Sequence, residues 1–459
     1  MTNIKEIEIQ KQYIEKVNEL NKDKNLKYYI LTMGCSLNEN DSEKICGMLE
    51  KMNYLKTEKS SEADFIVFNT CCIRENAEDR LFGKLGEMKK VKNSRNAIIA
   101  IGGCMMQEKH IVDKLKQSYP YVDIVFGTHT LHKLPQDIYE TLNNRIKVED
   151  VLDIDGEIYE GIPIKRADNK KAYVTIMYGC NNYCTYCIVP YVRGRERSRK
   201  PEDILKEVKE LAEEGYEEIM LLGQNVNSYN GGENYNFANL LIDVNKIAGI
   251  KKIRFISPHP KDFTDDVIDA IANSEKVSKT LHLPLQSGST SVLKAMNRKY
   301  SKEQYLELVE KIKNKIPNVT LTTDIIVGFP GETEEDFKDT LDVVNKVGFE
   351  QVFMFIYSRR KGTVADKMEN QIPEDIKHER FSRLQKLVEE KIEELNNKYV
   401  GTIQSILIEG KSKNNENTLT GRTDSNKVVV IEADESFIGK TVQVEIIQNC
   451  KWFLKGTII

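Results

Sequence analysis

The chain has 459 residues, 40% of them apolar and 30% charged, with a formal net charge of −4. That length predicts two or three domains, and the composition describes a soluble globular protein. No apolar run reaches the roughly 18 residues of a membrane helix, and Met1 to Glu6 lack the apolar core of a secretory signal, so a cytoplasmic location is expected. The small net charge argues neither for nor against a nucleic-acid partner, whose surface would have to be a local basic patch.

Residues 1 to 25 are polar and lysine-rich with a weak helical stripe (Ile9, Tyr13, Ile14, Val17, Leu20), predicting an extension or peripheral helix. From 26 to 145 short apolar runs alternate with helical stretches. Tyr28 to Thr32, Asp64 to Asn69 and Ala97 to Ile101 read as strands, and Asn40 to Met52 as a helix capped by Asp41 or Ser42. This pattern predicts an α/β, doubly wound parallel sheet. Cys35, Cys71 and Cys104 then fall just beyond the carboxyl ends of three strands, the edge where such sheets build sites.

A charged link, Asp150 to Lys171, leads to a second alternating region. Its strands are expected at Val174 to Tyr178, Glu218 to Leu222, Ile253 to Ile256, Thr280 to Leu283, Leu321 to Val327 and Gln351 to Ile356. Helices are expected at 202 to 214, 236 to 248, 264 to 273, 289 to 296, 302 to 315 and 333 to 346. Six such units predict an open, partial (β/α)6 barrel, closed by a long charged helix from Pro373 to Asn397. Residues 398 to 459 change to short valine- and isoleucine-rich runs with turn signals at Gly410, Asn414-Asn415, Gly421 and Gly439, predicting a small β-barrel.

Six of the nine cysteines divide into two sets of three. The compact set, Cys180, Cys184 and Cys187, follows a strand with the spacing Cys-x3-Cys-x2-Cys and resembles the radical S-adenosylmethionine superfamily. A short loop can wrap three thiolates round one cubane and leave the fourth iron open to the amino and carboxylate groups of a methionine moiety. A zinc knuckle is the alternative, but it wants a fourth Cys or His, and none of the six histidines lies nearby in sequence. Tyr186 matches the superfamily's aromatic beside the adenine. By the same resemblance Gln224, Ser257, Gln286 and the turn Gly328 to Gly331 are candidate S-adenosylmethionine contacts at the carboxyl ends of strands.

The dispersed set extends the likeness. Met33-Gly34-Cys35-Ser36-Leu37-Asn38, Asn69-Thr70-Cys71-Cys72-Ile73-Arg74 and Gly102-Gly103-Cys104-Met105 resemble the N-terminal domain of methylthiotransferases, and the terminal barrel resembles a TRAM RNA-binding module. The resemblance implies four segments: 1–25 an extension, 26–145 the methylthiotransferase domain, 160–397 the radical core and 398–459 the TRAM-like domain. It implies two [4Fe-4S] clusters, one on Cys180, Cys184 and Cys187 for hydrogen abstraction, the other on Cys35, Cys71 and Cys104 for sulfur delivery. S-adenosylmethionine is implied as both radical source and methyl donor. Cys71 is assigned by its place after Asn69-Thr70, with Cys72 its competitor, while Cys46 and Cys450 are expected to be structural.

Three branches of the family act on isopentenylated adenosine beside the tRNA anticodon, on threonylcarbamoyl adenosine at the same position, or on a ribosomal protein aspartate. Asn69 to Ala77, Gly179 to Arg199 and Met354 to Ala365 resemble the first. Arg193, Arg195, Arg197 and Arg199 with Lys200, and Arg359, Arg360 and Lys361, are expected to meet RNA phosphates. The terminal module holds eight Lys/Arg against seven Asp/Glu, so its RNA role rests on resemblance. The expected partners are a tRNA anticodon stem-loop and an electron donor such as flavodoxin or ferredoxin, with no membrane and a monomeric state. A noncatalytic iron–sulfur RNA-binding protein is the rival from another class.

Overall fold

The computed structural model describes residues 2–72, 77–152, 156–412, 418–423 and 425–459. The motif positions Ile73 to Asn76 and the turn signal Asn414-Asn415 lie outside the described residues. The chain forms two compact units, one of Met1–Tyr183, Cys187–Asn236 and Lys246–Ile256, the other of Cys184–Tyr186, Phe237–Asn245 and Ser257–Ile459.

The first unit opens with α1 (Thr2–Asn21) and a parallel sheet of β1 (Lys27–Thr32), β2 (Leu55–Lys56), β3 (Phe65–Thr70), β4 (Ile98–Gly103), β5 (Ile124–Phe126) and β6 (Val148–Asp150). The strand order is β2-β1-β3-β4-β5-β6, every pair parallel. Its helices are α2 (Ser36–Lys51), α3 (Ala77–Arg95), α4 (Lys109–Ser118) and α5 (Leu134–Asn144). β3 is buried from Phe65 to Thr70, as its unbroken apolar run requires of a strand covered on both faces. Sequence periodicity finds β1, β3 and β4 but not the other three, which span only two or three residues each. The N-terminal helix is docked: Val17 is buried beside Tyr28, Ile45 and Leu49, and the Tyr13 ring lies 5.5 Å from Tyr139 of α5.

From β1 the chain steps outward to β2, then crosses back to β3 on the other side. The gap between β1 and β3 is therefore a topological switch point, where diverging connections leave a crevice. Cys35 lies just beyond β1, Cys71 directly after β3 and Cys104 directly after β4. Gly103 has φ +95, and a Cβ there would meet Asn69 Oδ1 at 2.6 Å and the Thr70 nitrogen at 2.7 Å. Gly103→Ala is expected to cost about 2–4 kcal/mol through backbone strain and overpacking, read as a lower urea midpoint.

α2 begins at Ser36, four residues before the expected start at Asn40, and its N-cap is Cys35 rather than Asp41 or Ser42. Those two side chains have other partners: Asp41 pairs with Arg193, while Ser42 Oγ lies 2.7 Å from Thr32 Oγ1 and accepts from Asn69 Nδ2.

The link toward the second alternating region is fixed to α2, since the Lys165 N–H donates to the Glu43 carbonyl and Arg166 pairs with both Glu43 and Glu207. There follow β7 (Lys171–Thr175), β8 (Met177–Tyr178), α6 (Val189–Arg193), β9 (Arg197–Ser198), α7 (Pro201–Glu213), β10 (Glu218–Leu222) and β11 (Lys252–Phe255). Strands β11-β10-β7 form a parallel sheet. The strand expected over Val174 to Tyr178 is split: Met177-Tyr178 turns away to pair antiparallel with Arg197-Ser198. Part of the basic run is thus paired strand, not free loop.

The second unit contains α8 (Phe237–Asn245), α9 (Asp265–Asn273), β12 (Thr280–His282), α10 (Thr290–Ala295), α11 (Lys302–Lys315), β13 (Thr320–Val327), α12 (Glu334–Val347), β14 (Gln351–Ile356) and α13 (Glu374–Asn397). Capping boxes at Ser301/Gln304 and Thr333/Asp336 start α11 and α12. Strands β12-β13-β14 form a second parallel sheet. A closed barrel of β15 (Ile403–Lys411), β16 (Leu419–Arg422), β17 (Val428–Ile431), β18 (Thr441–Asn449) and β19 (Leu454–Ile458) ends the chain. Gly410 and Gly421, expected as turns, lie inside β15 and β16; the first sits at a bulge and the second lacks a Cβ where Ile406 and Leu407 pack. Gly439, at φ +82, is the turn it was expected to be.

Candidate metal centres

The dispersed cysteines converge at the switch point. Cys71 and Cys104 are buried and Cys35 is half-buried. Gly34, at φ +120, makes room for this approach: a Cβ there would lie 2.5 Å from Cys71 Cβ and 2.8 Å from its sulfur. Asn38 stitches the strand ends together, donating to the carbonyls of Met33 and Thr70 at 2.8 and 2.7 Å. Asn69 Nδ2 returns a bond to the Asn38 carbonyl, and Thr70 Oγ1 donates to the Gly102 carbonyl at 2.7 Å. Such a satisfied buried network fixes a site more firmly than apolar packing alone.

Arg193 enters this network from α6. Its Nε donates to Cys104 Sγ at 3.2 Å, one Nη to Asn38 Oδ1 at 2.6 Å, and the other pairs with Asp41 Oδ2 at 2.8 Å. Cys72 donates its thiol proton to Cys104, which raises Cys72 well above the ordinary thiol range and lowers Cys104; burial opposes that lowering and Arg193 reinforces it. These contacts favour the thiolate form of Cys104, which sits with buried Cys71 and Cys72 and half-buried Cys35. A cubane takes its thiolates at separate irons rather than round one ion; among the described residues no three His, Cys, Asp or Glu side chains surround a single ion point. The donor set, the sheet-edge position and the missing Cβ at Gly34 fit an iron–sulfur cluster. Cys71→Ala is expected to halve the iron bound after reconstitution, whereas Cys72→Ala retains it, because Cys71 is the thiol seated against Gly34; iron and sulfide analysis checks both.

The compact cysteines occupy one loop between β8 and α6. In the first unit, Gly179 has φ +77 and a Cβ there would collide with the Arg195 carbonyl, and the Cys180 N–H donates to the Gly194 carbonyl at 3.1 Å. Asn181 and Glu196 exchange backbone-to-side-chain bonds at 3.2 Å each way. In the second unit, Thr185 is held from both sides, its N–H donating to the Met296 carbonyl and its carbonyl accepting from Ala365. Tyr186 packs on Phe329 and Tyr357. Arg298 is buried behind Cys184, one Nη 3.7 Å from its sulfur, with its other donors on Tyr300 and the Pro284 carbonyl. Burial of Tyr300 raises its phenol to about 12, so it stays neutral beside the guanidinium. The helical pattern around Met296 carries no signal for Arg298, and sequence reasoning missed it, as it missed the role of Asn38.

Gln224, Ser257, Gln286 and Gly328 each lie beyond the carboxyl end of a strand, β10, β11, β12 and β13 in turn. Gln224 Oε1 is buried with no hydrogen-bond partner among the described residues. Ser257 and Gln286 adopt φ +59 and +69, unusual for residues with a side chain. Gln286 bridges to β13, its N–H donating to the Asp324 carbonyl and its carbonyl accepting from Ile326. Gly328 and Gly331, at φ +74 and +82, lack a Cβ where Lys377 and Asn370 pack, so packing already accounts for both glycines.

The basic residues divide. Arg193 and Arg199 are only 4% and 8% exposed, and Arg199 is neutralised by Glu160 and Glu207. The structure therefore places neither where a phosphate reaches it, because each is a counter-charge inside the first unit. Arg195 and Arg359 are exposed, Arg197 and Arg360 half-exposed, and Arg359 pairs with Asp366.

Comparison with known proteins places this geometry. The Radical SAM superfamily profile matches residues 174–344, the uncharacterized protein family UPF0004 residues 27–127, and the TRAM domain residues 397–459. A tRNA-2-methylthio-N(6)-dimethylallyladenosine synthase of Clostridium perfringens is 54% identical over 96% of this chain and 99% of its own. The protein of that name from Acetivibrio thermocellus is 52% identical over 98% and 96%. The chain belongs to the tRNA-2-methylthio-N(6)-dimethylallyladenosine synthase family. Among solved structures, the radical S-adenosylmethionine methyltransferase TsrM from Kitasatospora setae shares the fold, with a TM-score of 0.54 at 13% identity over 74% of this chain and 77% of that one. Membership accounts for the three-part order of the chain, α/β sheet, radical SAM region and terminal barrel. Among the described residues no helix is long and apolar enough to cross a membrane.

Proposed function

We propose that this protein converts N6-isopentenyladenosine beside the tRNA anticodon to its 2-methylthio derivative. The observation that carries this is the convergence of Cys35, Cys71 and Cys104 at one sheet edge in a chain half-identical to synthases named for that product. The cofactors are two [4Fe-4S] clusters and S-adenosylmethionine, which would supply the hydrogen-abstracting radical, the sulfur and the methyl group, with the electron delivered by an external donor. Cys180, Cys184 and Cys187 hold the first cluster, and Cys35, Cys71 and Cys104 the second. Gln224 offers its unpaired Oε1, Gln286 its strained backbone turn and Tyr186 its ring to S-adenosylmethionine.

The functional segments are 1–25, 26–145, 160–397 and 398–459. For RNA, Arg195, Arg197, Arg359 and Arg360 are the phosphate contacts. The Arg359–Asp366 pair is exposed and contributes at most about 1 kcal/mol, so a phosphate can displace the carboxylate. Tyr183 and Tyr191, 40% and 47% exposed beside the compact loop, offer rings for unstacked bases. Phe353 and Phe355 stand exposed on one face of β14, and His282, bonded to Asp324, lies against Phe353; this is an apolar wall for a prenylated base. The protein acts in the cytoplasm as a monomer, with a flavodoxin- or ferredoxin-like electron donor.

The test is anaerobic reconstitution with reductant and S-adenosylmethionine on two anticodon stem-loops, one carrying isopentenyladenosine and one threonylcarbamoyladenosine. Methylthiolation of the first alone is expected. Reaction on the second alone, or only on ribosomal protein, contradicts the proposal, and absence of 5′-deoxyadenosine favours a noncatalytic protein.

A further inference from the structure

Arg193 lies in the basic run yet spends its charge inside the protein. α6 is anchored by Ile188 and Val192, which join the same apolar cluster as Cys71, Cys72, Cys104 and Met105. The Val192 carbonyl accepts from Thr128 Oγ1 at 2.7 Å, fixing the end of the helix. From that anchorage the guanidinium reaches Cys104, Asn38 and Asp41. All three are buried, so the cation is held in a low-dielectric pocket where charge acts strongly on its neighbours. Arg193 stands six residues after Cys187, and the helical geometry between them limits their Cα separation to about 14 Å. One short segment thus carries a compact-set thiol at its start and the counter-charge of the dispersed set at its end.

We propose that Arg193 is a positioning residue that sets the electrostatics of the dispersed site: it orients the Cys104 sulfur and, through it, makes a cluster held by Cys35, Cys71 and Cys104 easier to reduce. This rests on the reading of those cysteines as cluster ligands. The physical reason is charge. Reduction adds an electron to an already anionic buried group, and a fixed guanidinium stabilises the reduced form more than the oxidised one. Asp41, on the far side of the guanidinium, partly offsets that effect. The two residues therefore act with opposite sign, which a merely structural pair would not do. Hydrogen bonds to cluster sulfurs and nearby charge are general determinants of such potentials.

The test uses the full-length chain with Cys180, Cys184 and Cys187 replaced by alanine, so that only the dispersed site takes iron. It is reconstituted anaerobically with iron and sulfide and titrated by electron paramagnetic resonance. Arg193→Gln is expected to disfavour reduction at least tenfold, 59 mV for one electron. Asp41→Asn is expected to favour reduction, and Arg193→Lys to stay nearer the parent. Midpoints in Arg193→Gln and Asp41→Asn that put the reduction equilibrium within twofold of the parent's, or that shift in the same direction, overturn the proposal. If Arg193→Gln takes up no iron, Asp41→Asn decides: an upward shift supports the proposal and none overturns it. If the parent itself binds no cluster, the underlying reading of Cys35, Cys71 and Cys104 falls.

Discussion

Cys184→Ala is expected to reduce 5′-deoxyadenosine formation by more than about 10³-fold and to lower iron from about eight to about four per chain. The sulfur is buried, and its loss removes one of the three thiolates of the compact loop. It also removes the sulfur that one Arg298 Nη meets at 3.7 Å, leaving a guanidinium 7% exposed with one partner fewer. The variant should therefore melt lower as well as fail to make the radical. Cys450→Ala is the control: it lies in the terminal barrel, and its replacement should leave both iron and 5′-deoxyadenosine unchanged. Persistence of 5′-deoxyadenosine in Cys184→Ala would remove the compact loop from the chemistry.

Cys104→Ala is expected to separate the two halves of the reaction. Methylthiolated product should fall by more than about 10³-fold while 5′-deoxyadenosine formation continues, because the compact loop is untouched. Cys104 is 3% exposed, accepts from both Cys72 and Arg193, and follows the glycine that turns β4 into the site. Replacing it leaves Arg193 short of its anion, so iron should drop to about four per chain and the N-terminal sheet should lose stability too. Equal loss of 5′-deoxyadenosine and product would show that the two sites cannot be separated in this way.

The placement of Cys35, Cys71 and Cys104 beyond three strand ends was legible in the sequence because strand ends are local patterns. A continuous apolar run marks β3 and another marks β4, and Cys71 and Cys104 follow them directly. Burial of individual charges was not legible. Arg193 to Lys200 reads as one basic stretch, yet Arg193 faces Cys104, Arg197 sits on a paired strand and Arg199 lies between two glutamates. Periodicity cannot see this, since the partners are contributed by α2, α7 and the link before β7. The start of α2 was misplaced for the same reason, because Asp41 and Ser42 have tertiary partners that outweigh capping. Short strands such as β5 and β6 carry too few residues for a period, and Gly410 and Gly421 look like turns only until the barrel closes round them.

The most direct measurement is mass spectrometry of the modified nucleosides of tRNA from cells with and without this protein. The account predicts that 2-methylthio-N6-isopentenyladenosine disappears in the deletion and is replaced by N6-isopentenyladenosine. Restoring the wild-type chain should recover it, and restoring Cys104→Ala should not. An unchanged level of the methylthio nucleoside in the deletion strain would contradict the account.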